Sequence, residues 1–217
     1  MSRRALGILG VVLVVLGLAG IVGGAAIDGA GVNWAGAGWG YPGMGPGMMG
    51  WGPPAGVTGQ SLAPDQASAL GSAVPSGATV DRTANTVTFS TSTVNLTVLA
   101  SPPDGPDETF RVAGLTNPTI TVPRGARVTL QLVNADAGMV HNWLLTSAQP
   151  PFPYMAMMAA PVVLGAFAQT LPPASASGLP AATISFDAST PGRYTYLCSV
   201  PGHAQEGMYG TFVVTAS

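Results

Sequence analysis

The constraint that most limits this chain lies near its C-terminal end, in Tyr196-Leu197-Cys198-Ser199-Val200-Pro201-Gly202-His203-Ala204-Gln205-Glu206-Gly207-Met208-Tyr209-Gly210. The stretch holds the chain's single cysteine and one of its two histidines, spaced Cys-x4-His-x4-Met. A thiolate, an imidazole and a thioether so close together form a set of soft and intermediate donors, which suits copper better than zinc, calcium or magnesium. A trigonal His2Cys plane needs a second imidazole, and the other histidine, His141, is the only candidate. It follows a strongly alternating stretch, within Gly138-Met139-Val140-His141-Asn142-Trp143.

Taken singly, each residue has a plainer reading. A lone cysteine is most often a small buried hydrophobe, and a methionine a core filler. An unpaired cysteine in an exported protein is also a candidate for pairing between molecules. The combination, with Pro201-Gly202 before the histidine and Gly207 before the methionine, carries the copper reading. A loop of this length can leave one strand, meet a metal three times and enter the next strand. Asn142 and Ser199, each directly after a candidate ligand, are placed to hydrogen-bond around the metal and fix the loops or tune the sulfur.

The pairing of Met139-Val140-His141-Asn142-Trp143 with the run from Arg193 to Gly210 resembles the cupredoxins, the small blue-copper electron carriers. The four-residue gaps on both sides of His203 are similar to those of the sulfocyanin and rusticyanin subgroup. The likeness runs from about Asn117 to the C-terminus and includes the stretch Asn117 to Asn134, which resembles the strand pair leading to the first histidine. The resemblance implies His141, Cys198 and His203 as equatorial ligands of one type 1 copper ion, with Met208 as the weak axial ligand. It implies that an asparagine after the first histidine ties the two ligand loops together. It also implies that the second histidine, His203, lies near the surface as the electron port, in a docking surface with Pro201, Gly202 and Met139.

The chain has 217 residues, enough for one ordinary domain with appendages. Only 7% are charged, all seven basic residues are arginine, and the formal net charge is −2, which predicts no electrostatic grip on nucleic acid. One cysteine rules out an intramolecular disulfide, so the fold must rest on its own core.

Residues 1–27 place Arg3-Arg4 before an uncharged run from Ala5 to Ile27. That run is longer than a usual signal-peptide core and near the ~20 residues that span a bilayer. The arginines hold that end in the cytoplasm and send the rest outside. The run's length favours a membrane anchor over a signal peptide, although Gly24-Ala25-Ala26 offers a small-residue cleavage site; either version exports the domain. Residues 28–79 are rich in Gly, Pro and Ala with almost no charge, the composition of a flexible linker. Met44, Met48 and Met49 lie in it, among Trp39, Tyr41 and Trp51. The linker reading is favoured over a transient Cu(I) site, the tryptophans resting near lipid headgroups.

Residues 80–217 are expected to form the copper domain. Strands are predicted at 86–90, 94–99, 110–112, 119–122, 127–134, 141–145, 182–186, 192–198 and 210–215, because short β-branched or alternating runs recur between Gly/Pro turns. Such a pattern, almost without helix, predicts an all-β Greek-key sandwich or barrel, cupredoxin-like in the resemblance. Between Ser147 and Pro180 no strand pattern is visible. A short helix is expected over 152–160, with Met155, Met157 and Met158 filling gaps in the core.

These readings converge on a monomeric blue-copper electron carrier outside the cytoplasmic membrane. The resemblance implies redox protein partners such as a membrane oxidase or cytochrome complex. A copper sink or donor is the competing reading, favoured by the methionines at 44–49. An enzyme is not expected. Multicopper oxidases and copper nitrite reductases need further histidines, and both histidines here are already assigned.

Overall fold

The computed structural model describes residues 60–156 and 159–216. Residues 1–59 and Met157–Met158 lie outside them, and with them the expected anchor, most of the expected linker and the methionines at 44–49. Among the described residues, no helix is long and apolar enough to cross a membrane.

Two mixed sheets face each other. The strands are β1 (Gln60–Leu62), β2 (Ala78–Asp81), β3 (Thr86–Phe89), β4 (Thr93–Ala100), β5 (Phe110–Val112), β6 (Leu115–Thr116), β7 (Thr119–Val122) and β8 (Ala126–Asn134), then β9 (His141–Thr146), β10 (Phe167–Leu171), β11 (Leu179–Ala188), β12 (Gly192–Leu197) and β13 (Tyr209–Val214). Among the described residues, two short α-helices, α1 (Pro64–Ser72) and α2 (His203–Glu206), accompany them. One sheet runs β1-β11-β8-β4-β5-β6 and the other β10-β9-β12-β13-β7-β3-β2. Parallel pairing of β4 with β8, and of β7 with both β3 and β13, makes both sheets mixed. The expected all-β sandwich is present.

Side-chain alternation builds the core. On β8, Val128, Leu130 and Leu132 are buried while Arg127, Thr129 and Gln131 face outward, the period of two that points alternate residues to one face. Leu99 and Val133 break that alternation because Ala67 of α1 and Leu179 and Ala181 of β11 cluster with them, forming a second small apolar core. The main core gathers Trp143, Phe186, Tyr196 and Phe212 between the sheets.

Three expectations need correction. The linker was expected to run to residue 79, but residues 60–79 hold β1, α1 and the start of β2. Their signal is weak for a physical reason. β1 is a three-residue edge strand, and α1 buries only Ala67 and Gly71, so no apolar stripe marks it. The segment 147–180 contains β10. Its pairing with β9 shifts register between Ala168 and Leu171, and such an irregularity erases alternation. Of the expected helix over 152–160, residues 152–155 are not helical, Ala156 lies in a 3-10 turn and Met157–Met158 lie outside the described residues; Met155 is 47% exposed rather than a core filler. Phe152 and Ala156 are the buried residues of that loop, packed with Leu144, Leu197 and Ala204.

Candidate metal centre

β9 begins at His141 and β12 ends just before Cys198, and the two strands are antiparallel neighbours with Leu144 opposite Leu197. Both residues therefore emerge at one end of the same sheet. The loop after Cys198 closes on itself: Cys198 N–H donates to the Met208 carbonyl at 3.0 Å, and Met208 N–H donates to the His203 carbonyl at 2.9 Å. Gly202 (φ 91°) and Gly207 (φ 120°) flank the single turn of α2, in backbone conformations that strain a side chain and favour glycine. That turn brings His203 back toward Cys198.

The three candidate equatorial donors converge. Cys198 Sγ lies 3.6 Å from His203 Nδ1 and 3.9 Å from His141 Nδ1, and the two Nδ1 atoms are 3.1 Å apart. A point about 2.1 Å from all three atoms follows from those edges, matching metal–nitrogen bonds of about 2.0–2.1 Å and a metal–sulfur bond of about 2.3 Å. All three residues are buried, and Met208 is fully buried in the same loop. The set of two imidazoles and a thiolate, with a thioether nearby, fits copper of the type 1 class.

The surroundings hold this triangle rigid. Asn142 Oδ1 accepts from Ser199 N–H at 2.7 Å, and Asn142 Nδ2 donates to Ser199 Oγ at 3.0 Å, joining the two ligand loops. Asn142 N–H points at Cys198 Sγ at 3.5 Å. Two further residues escaped sequence reasoning. Asn117 Nδ2 donates to the Gly207 carbonyl at 3.0 Å, pinning the ligand loop from β7's side. Asp136 Oδ2 lies 3.1 Å from His141 Nε2. The available signal was the polar cluster Asn134-Ala135-Asp136-Ala137-Gly138 before His141, a turn-forming composition.

One expectation for the site is narrowed: His203, expected near the surface, is not itself exposed. His203 is only 1% exposed, and its Nε2 is buried with no hydrogen-bond partner among the described residues. The loop before β10 meets the residue next to it: Gly202 N–H donates to the Tyr154 carbonyl at 2.8 Å, and the Tyr154 ring lies against Gly202. The histidine edge is therefore not itself at the surface.

Electrostatics follow from burial. Burial pushes the Cys198 thiol up to about 11, against the N–H groups of Asn142 and Val200, which favour the thiolate. Burial lowers His141, partly opposed by Asp136. Partial burial raises the Asp136 carboxyl, but Gly138 N–H, His141 and Met139 N–H together outweigh it and hold the group below its usual range. Since the thiolate is the metal ligand, Cys198 must lose its proton when metal binds. Copper affinity of the apoprotein is expected to rise about tenfold per pH unit between about pH 7 and 9, one proton leaving per copper. A competition titration reads this, and a pH-independent affinity would contradict it.

A family model described as the sulfocyanin (SoxE) domain matches residues 82–217, more than half of the chain. The chain belongs to the sulfocyanin family of cupredoxins. Rusticyanin of Acidithiobacillus ferrooxidans is 35% identical over 130 residues, which are 60% of this chain and 81% of the relative. Rusticyanin of Acidithiobacillus ferridurans is 34% identical over 130 residues, covering 60% and 67%. The solved rusticyanin from Thiobacillus ferrooxidans superposes with a TM-score of 0.63 at 28% identity, covering 73% of this chain and 97% of that one. A reduced rusticyanin structure gives a TM-score of 0.64 at 29% identity, covering 73% and 100%. One solved rusticyanin is described as a copper protein, in agreement with the donor set found here.

Proposed function

We propose that this cupredoxin is a blue-copper one-electron carrier that works outside the cytoplasmic membrane, between respiratory redox partners. The observation that carries the reading is the buried triangle of His141 Nδ1, Cys198 Sγ and His203 Nδ1. These residues would hold the metal equatorially and Met208 axially. Copper bound there would supply a single-electron couple between Cu(I) and Cu(II).

The chain's own residues prepare the site for that task. Asn142, Ser199 and Asn117 hydrogen-bond the loops that carry the donors, which would keep the arrangement much the same in both oxidation states. The apolar residues around Cys198 and Met208 exclude water. Met139 (45% exposed), Val140, Tyr154 (60%) and Met155 supply apolar contact area near the ligand loops. With so little charge, docking there would gain little from electrostatic steering and should depend weakly on salt. Residues 1–27 would anchor the chain and 28–59 tether it, raising the effective concentration of the domain near membrane oxidases or cytochrome complexes. With only two histidines, both in the triangle, the chain has none to spare for a second copper centre of an oxidase or reductase. The monomer suffices, since one chain supplies every proposed ligand.

Met208→Gln should keep copper and lower the reduction potential, because an amide oxygen is a harder donor than a thioether and favours Cu(II). Potentiometry checks this, and an unchanged potential would show that Met208 is not axial. The function itself is tested by repeated oxidation and reduction of the full chain in the presence of a Cu(I) chelator. A carrier keeps its copper through many cycles. Loss of copper to the chelator within a few turnovers would favour the competing reading of a copper sink or donor.

A further inference from the structure

We propose that Asp136 is a positioning residue of the copper site, its carboxylate fixing which nitrogen of His141 faces the metal and lowering the reduction potential. This rests on the copper reading above.

Asp136 stands in the turn between β8 and β9, five residues before His141. Its Oδ1 accepts from Gly138 N–H at 2.6 Å and Met139 N–H at 3.2 Å. Its own N–H donates to Asn134 Oδ1 at 3.0 Å, and its carbonyl accepts from Ala174 N–H at 2.6 Å. Asn134 Nδ2 in turn donates to the carbonyls of Met139 at 2.9 Å and Pro172 at 2.8 Å. The carboxylate is therefore clamped by the turn from which His141 emerges, with Oδ2 left to face Nε2 at 3.1 Å.

Two consequences follow. A carboxylate only accepts hydrogen bonds, so Nε2 carries the proton and the lone pair of Nδ1 points toward Cys198 Sγ and His203 Nδ1. Both chemistry and orientation of the ring are thereby set before metal arrives. The carboxylate also raises the basicity of the imidazole, and a negative charge beside a ligand favours the more positive metal state, here Cu(II), over Cu(I). An amide at the same position would have one oxygen to share between the turn and the imidazole, and no charge.

The test compares copper-loaded full chain with Asp136→Asn. Cu(II) affinity is expected to fall about 10–100-fold, with Cu(I) affinity falling less. Every tenfold fall in the Cu(II)/Cu(I) affinity ratio raises the potential by about 59 mV. A variant that keeps the blue spectrum with an unchanged potential and affinity ratio overturns the proposal. The same holds if it only melts earlier, since that result would make Asp136 a purely structural clamp. Should the variant fail to fold, NMR of the wild-type Cu(I) protein decides. A His141 Nε2 proton that is hydrogen-bonded and slow to exchange supports the proposal, and its absence overturns it. A wild type that gives no blue spectrum overturns the copper reading, and this proposal with it.

Discussion

Replacing Trp143 by alanine is expected to destabilise the apoprotein by about 3–5 kcal/mol, the range for emptying a large aromatic site. Trp143 is fully buried on β9, two residues from His141, and stacks between Phe186 (centroids 6.0 Å apart) and Tyr196 (6.1 Å apart). Tyr196 cannot move in to fill the gap, because its hydroxyl donates to the Pro118 carbonyl at 2.7 Å. The lower half of the range is the better expectation. Trp143 Nε1 is buried without a partner among the described residues, and removing an unsatisfied donor returns part of its desolvation cost of about 1–3 kcal/mol. Trp143→Phe should therefore cost much less than alanine. Urea denaturation of the two variants checks both statements, and a loss below about 1 kcal/mol for alanine would contradict the packing argument.

Asn142→Ala is expected to cost about 2–4 kcal/mol and to loosen the metal site at the same time. The side chain accepts from Ser199 N–H at 2.7 Å and from Ser199 Oγ at 3.2 Å, and donates to Ser199 Oγ and to Thr170 Oγ1. Alanine leaves the buried Ser199 N–H with no acceptor, at about 1–3 kcal/mol per orphaned group. It also frees the turn that holds Cys198 from the strand that holds His141. Denaturation with and without copper separates the effects. The variant should lose stability in both forms and release copper faster, whereas unchanged copper release would show that Asn142 supports the fold alone.

Most of the fold was legible because the strands between the sheets alternate cleanly. The run around Val128, Leu130 and Leu132 was visible as a strand from that period, and the runs 110–112 and 119–122 as short apolar stretches between turns. The ligand triangle was legible for a different reason. Soft donors are rare in this chain, so a cysteine, two histidines and a methionine at fixed spacing stand out. What escaped was written in small residues and in geometry. Ala67 and Gly71 let α1 lie close on Leu99 without leaving an apolar stripe, and the bulge in β10 scrambled its alternation. The loop before β10 meets the ligand loop through a main-chain bond from Gly202 to Tyr154, which no side-chain pattern encodes. Asp136 looked like an ordinary turn residue, because its second oxygen acquires meaning only once β9 turns His141 toward it.

The central claim is that Cys198, His141 and His203 hold one copper ion in a trigonal site. One equivalent of Cu(II) added to the reduced apoprotein, followed by visible absorption and EPR, tests it most directly. An intense thiolate-to-copper band with a small parallel hyperfine splitting is the predicted result. A weak band with the wide splitting of ordinary tetragonal Cu(II), or no bound copper at all, would contradict the account.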